Sequence, residues 1–168
     1  LGPNHGLVQV LLANNLAEGG RSEQAIPLFK KGLGLEPYYP AMYLQFLGEA
    51  YLRAQRYEEA LRTWKEGLKR SRKAELPPYL PLTGLVLACM ELGQEEEAQT
   101  YAKELFSLKP SFSLTGVANV WQLHQDRNQL ETLWVRMRKA GIVPPLLETA
   151  KEFRYEGPPS FVLKYPMG

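Results

Sequence analysis

An all-α fold of stacked antiparallel helix pairs is predicted by three features of this 168-residue chain. Apolar residues recur at helical spacing, short polar breaks separate the helical stretches, and a small residue followed four positions later by a large one returns at regular intervals. That last pattern runs Ala25/Phe29, Ala60/Trp64, Ala98/Ala102 and Leu130/Trp134. Its steps scatter around the roughly 34 residues of a helix-turn-helix repeat. It divides a repeat domain over 1–143 into units at about 6–39, 41–74, 79–110 and 111–143. A remainder follows at 144–168.

Each unit reads as a hairpin. In the first, Leu12, Ala13 and Leu16 precede a turn at Gly19-Gly20, and Ala25 and Phe29 lead to Pro37. In the second, Leu44, Leu47, Gly48 and Tyr51 share one helix face; Tyr57, Ala60, Leu61, Trp64 and Leu68 share another after the polar break Gln55-Arg56. Gly48 and Ala60 are expected where the two helices approach most closely, with Tyr51 and Trp64 packed beside them. In the third, Leu85, Val86 and Cys89 precede Gly93, then Ala98 and Pro110. The longer step before it holds Glu75-Leu76-Pro77-Pro78 as an extra connection. The fourth pairs FSLTGVANVWQL with DRNQLETLWVRMRKAG, capped by Asp126 with Gln129 three residues on. Beyond it, LLETAKEF at 146–153 suits a short helix. SFVLKY, fenced by Pro158, Pro159 and Pro166, suits an extended tail.

LQFLGEAY at 44–51, with Ala60 and Trp64, resembles the tetratricopeptide repeat pattern W-x2-L-G-x2-Y, then A-x3-F. The match departs from that pattern at Leu44 for the first aromatic, at Ala13 and Val86 for the glycine, at Ala102 for the second aromatic and at Arg72 for the proline. The resemblance implies a right-handed superhelix (solenoid) whose first helices line a concave surface. KPSFSLTG followed by NQLETLWVRMRKAGIVP is similar to the end of repeat modules attached to bacterial adenylate and guanylate cyclases and to some transcriptional regulators. That similarity runs in order over about 38–144 and implies the accessory part of a larger signalling or regulatory protein. A chain opening on Leu1-Gly2-Pro3 is expected to be a fragment or processed product.

Composition favours no catalytic or nucleic-acid function. The net charge of +2 is too small to supply the counterion release that drives non-specific nucleic-acid binding. No apolar run reaches the roughly 18 residues of a membrane span, and no leader pattern is present, so a cytoplasmic location without membrane contact is expected. His5 and His124 are far apart, and one cysteine, Cys89, cannot build a disulfide or a thiolate metal site. Neither a metal nor a cofactor is expected. Glu58-Glu59 and Glu95-Glu96-Glu97 open second helices, where the backbone dipole favours negative charge, and KEGLKRSRK at 65–73 closes one, where it favours positive charge. No nucleophile, base and orienting group converge, so an enzyme is not expected.

Binding is expected on the stripe of each first helix that lies about 100 degrees from its core face. Those stripes are Leu7, Val10, Asn14 and Ala17; Met42, Gln45, Glu49 and Leu52; Leu80, Thr83, Leu87 and Met90; and Phe112, Thr115, Asn119 and Gln122. They form an apolar surface with amides and without Lys or Arg, suited to a peptide or protein partner with apolar side chains. Phe161, Leu163 and Tyr165 of the tail are expected to dock on such a surface, in the same chain or in a second copy. A self-assembly unit is the alternative to a receptor for another protein.

Overall fold

The structure is a computed structural model that describes residues 5–36, 38–109, 132 and 135–142. Six helices follow one another: α1 (Gly6–Glu18), α2 (Ser22–Leu35), α3 (Ala41–Arg53), α4 (Tyr57–Lys73), α5 (Tyr79–Glu91) and α6 (Glu95–Leu108). Residues 135–139 are helical as well, and no strand occurs among the described residues. Each first helix packs on the second helix of its own hairpin, α2 packs on α3 and α4 on α5, and the first helices α1, α3 and α5 also touch in succession. The result is an all-α solenoid.

The same backbone device closes each of the first three hairpins. Gly20, Gln55 and Gly93, one in each of these units, hold φ of 77°, 58° and 71°. Beyond them Arg21 N–H donates to Leu16 O, Arg56 N–H to Tyr51 O and Gln94 N–H to Cys89 O, at 2.8 to 2.9 Å. This is a left-handed helix cap that satisfies carbonyls the helix leaves open. α4 ends the same way at Glu75 (φ 54°), where Leu76 N–H reaches Ser71 O, and Ile142 N–H reaches Met137 O after Gly141 (φ 70°). Gln55 is the turn residue that departs from the glycine of its two equivalents, and it is exposed. Gln55→Gly is therefore expected to stabilise the fold by about 1 kcal/mol, since only the side chain's strain in the left-handed region is removed. Chemical denaturation at neutral pH checks it.

Small residues set the hairpin spacing. Phe29, Ala60, Trp64, Ala98 and Leu105 are fully buried and meet Val10, Ala13, Leu82, Leu85 and Val86 in one continuous core. α5 is apolar all round, and every residue from Pro81 to Met90 is buried between its neighbours. In the second hairpin Gly48 lies against the indole of Trp64: a Cβ on Gly48 would lie 2.5 Å from Trp64 Cε2. The same indole also meets Gly84 of α5. In the third hairpin the contact-making glycine is thus Gly84, not the position of Val86. One aromatic side chain joins two units.

Ion pairs repeat along the outer row of second helices. Arg56 meets Glu23 at 3.5 Å, Lys65 meets Glu97 at 2.8 Å and Arg72 meets Glu104 at 2.7 Å. Such exposed pairs contribute little to stability, about 0 to 1 kcal/mol each. Their consequence is register, because each joins α2 to the start of α4 or α4 to α6 at fixed positions. The segment at 135–142 is tied on similarly: Arg136 bonds the Met90 carbonyl near the end of α5 and lies 3.4 Å from Glu91, while Gln99 donates to Ala140 O.

Candidate functional site

Leu7, Met42 and Leu80 hold the same place in successive units, the second residue of α1, α3 and α5. Met42 is 53% exposed and Leu80 48%, with Leu7 half-buried. A turn further on stand Val10, Gln45 and Thr83, and a further turn gives Asn14, Glu49 and Leu87. Asn14 and Glu49 are half-buried and remain partly accessible.

Most of the remaining residues expected on an open surface are buried. Val10, Thr83 and Met90 are fully enclosed, Ala17 and Leu52 are buried, Leu87 is 4% exposed and Gln45 5%. The reason is that consecutive first helices touch: a stripe 100 degrees from its own hairpin's core still faces the neighbouring first helix. Val10 Cγ2 also lies against Gly32 of α2, and Thr83 spends its hydroxyl on Tyr79 O at 2.6 Å. Asn14 donates to Glu18 Oε1 at 2.9 Å, so one of its two amide N–H donors is already used within α1. Phe112, Thr115, Asn119 and Gln122 lie outside the described residues, as do His124 and the tail residues Phe161, Leu163 and Tyr165.

Further exposed apolar side chains are not picked out by the helical stripes. Leu35 and Leu108 are the last residues of α2 and α6, Tyr38 and Leu76 lie in the connections α2–α3 and α4–α5, and all four are exposed. In a stack of parallel hairpins these positions share one edge with Met42 and Leu80. That edge is where each second helix ends and the next first helix begins. Periodicity alone misses them because they sit at helix ends and in loops; the apolar character of Leu76 beside Pro77-Pro78 is the available signal.

Two family models described as tetratricopeptide repeat match residues 16–79 and 82–112. The chain belongs to the tetratricopeptide repeat family. No curated protein matches it. Tetratricopeptide repeats are in general protein–protein interaction modules, and this repeat array has the all-α solenoid form of the family. Among the described residues, no helix is long and apolar enough to cross a membrane, and no group of three or more His, Cys, Asp and Glu is placed to hold a metal ion.

A second polar pair on the first helices lies in α3. Gln45 Nε2 donates to Glu49 Oε1 at 2.9 Å, while Gln45 Oε1 is buried and has no hydrogen-bond partner among the described residues. Burial holds the Glu49 carboxyl above its ordinary value of 4.5, and the charge of Glu18 pushes the same way; the Gln45 hydrogen bond and Arg53 oppose them. The folded chain therefore binds this proton more tightly than the unfolded chain. The associated stability is complete below about pH 4.5 and is lost as pH rises through the raised folded value. Glu49→Gln is expected to flatten that slope and to be the more stable protein at pH 7, by roughly 1 kcal/mol. Urea unfolding of both proteins at pH 4 and pH 7 reads the difference.

Cys89 is fully enclosed in the α5 core. Burial pushes its thiol up to about 12, with the charge of Glu97 adding to the shift and Lys65 opposing it. A neutral thiol without an exposed face acts as a small apolar side chain.

Proposed function

We propose that the chain binds a segment of another protein along its first helices, with apolar side chains of the partner on Met42 and Leu80 and polar contacts at Asn14 and Glu49. The observation that carries this reading is the exposure of Met42 and Leu80 at equivalent positions of successive units, at the end of the stack where the exposed Leu35, Tyr38, Leu76 and Leu108 also fall in chain order. Large apolar side chains grouped on one edge of a folded domain mark a surface that loses water on association. Leu7 extends the line into the first unit. Buried Val10, Thr83, Leu87 and Met90 support the surface from beneath instead of forming it. The tetratricopeptide frame supplies geometry and these side chains supply specificity. The larger setting in this reading is an accessory module of a signalling or regulatory protein.

Partner capture on the wild-type chain, compared with Met42→Lys combined with Leu80→Lys, tests it. Both side chains are about half exposed, so the double variant keeps the wild-type unfolding midpoint. Loss of affinity of at least roughly tenfold is expected for a genuine partner of this surface. Partners held equally by both proteins place the interaction elsewhere. Mass from light scattering separates a receptor from a self-assembly unit. Deleting residues 155–168 asks whether Phe161, Leu163 and Tyr165 compete for the same surface: competition raises partner affinity, and unchanged affinity and mass remove the tail from this role.

A further inference from the structure

Gln45 and Glu49 carry acceptor capacity that the fold leaves unused. A glutamine amide oxygen offers two lone pairs and a carboxylate about four acceptor positions, and the Gln45–Glu49 hydrogen bond fills one of them, at Glu49 Oε1. Gln45 is 5% exposed, and its Oε1 meets no donor among the described residues. A buried acceptor without a donor is destabilising, so this oxygen beside the half-buried Glu49 carboxyl keeps an unmet demand for a donor. Local charge has one sign in excess. Glu18 of α1 and Glu49 of α3 act on this place against the cation Arg53.

We propose that the Gln45–Glu49 pair on α3 is a receptor for one basic side chain, lysine or arginine, of the segment that docks along the first helices. The proposal rests on the groove reading above and adds the chemistry of one position. A guanidinium presents five N–H donors in a planar fork and an ammonium presents three, so either bonds the open Glu49 oxygens and, once the enclosed Gln45 amide rotates toward it, Gln45 Oε1 as well. A neutral amide brings at most two donors and leaves the carboxylate uncompensated. Charge-assisted hydrogen bonds are about twice as strong as neutral ones, and in a half-buried place they are less screened. The exposed Met42, one turn before Gln45, suits the aliphatic stem of such a side chain. The fold thus holds an acidic amide socket along an apolar line, of the opposite sign to a clamp for a carboxylate.

Two measurements on the full chain test this. Butylguanidinium is titrated while the side-chain amide resonances of Gln45 are followed by NMR, with butylurea as the neutral match of the same shape. A saturable shift with butylguanidinium is expected, roughly tenfold weaker in affinity or absent for butylurea and for Glu49→Gln. Equal response to both probes, or full response in Glu49→Gln, overturns the proposal. Random peptides displayed on phage are then selected on wild type and on Glu49→Gln. Enrichment of Arg or Lys at one position on wild type, lost on Glu49→Gln, supports the socket. Peptides that bind wild type without that enrichment overturn the socket and leave the groove intact. If butylguanidinium binds as expected while no peptide is selected, the groove reading fails and the socket stands.

Discussion

Trp64→Ala is expected to destabilise the chain by about 4 kcal/mol, near the centre of the range for deleting a buried aromatic side chain. For a chain of this size the thermal midpoint falls by roughly 12 °C. Trp64 is fully buried in α4, and its indole is clasped between Gly48 of α3 and Gly84 of α5. Removing it empties the contact within the second hairpin and the contact between the second and third hairpins at once. Collapse around the gap is limited, because α3 and α5 are each held independently by neighbours such as Leu47, Leu82 and Leu85. Trp64→Phe keeps a ring in the slot and is expected to lose about half as much. Thermal and denaturant unfolding followed by circular dichroism measure both. A loss below about 1 kcal/mol for Trp64→Ala contradicts the clasp.

The clasp shows what periodicity conveys and where it stops. Trp64 stands four residues after Ala60 on a helical stripe, so its burial follows from sequence spacing, as do the turn at Gln55 and the acidic start of α4 at Glu58-Glu59. Its contact with Gly84 does not follow. Helical stripes give the direction of a side chain relative to its own helix, whereas the unit-to-unit rotation decides which residue of the next hairpin it meets. Val86 occupies the repeat position of Gly48 in the third unit, yet the indole reaches Gly84, two residues earlier and on another face of α5.

The proposed binding surface is blurred for the same reason. Met42 and Leu80 are legible as exposed, but the burial of Gln45, Thr83, Leu87 and Met90 depends on adjacent first helices touching. The value of Gln45 changes with that burial. An exposed glutamine is a generic hydrogen-bonding residue, whereas a buried one with an unpaired oxygen beside Glu49 has a defined chemical demand.

Gly84→Ala is the sharper counterpart, with an expected loss of about 2 kcal/mol from overpacking. Alanine is the better helix former by about 1 kcal/mol, so a glycine in open space should gain from this change. Gly84 has no such space, since the added methyl would enter the six-membered ring of Trp64. Gly48→Ala meets the same indole from α3 at 2.5 Å and is expected to lose a similar amount. Gly67 supplies the control. It lies in α4, where a Cβ would find Leu44 Cβ at 3.7 Å and Pro81 Cβ at 3.8 Å, ordinary van der Waals contact. Gly67→Ala is therefore expected to be neutral or to stabilise by up to about 1 kcal/mol. Three identical substitutions in one core then differ in sign by what faces them, and denaturant unfolding ranks them. In the background of Trp64→Ala the methyl at Gly84 enters emptied space, and its penalty should vanish or reverse. A penalty that persists there places the strain on other neighbours of Gly84 and breaks the link between the second and third hairpins.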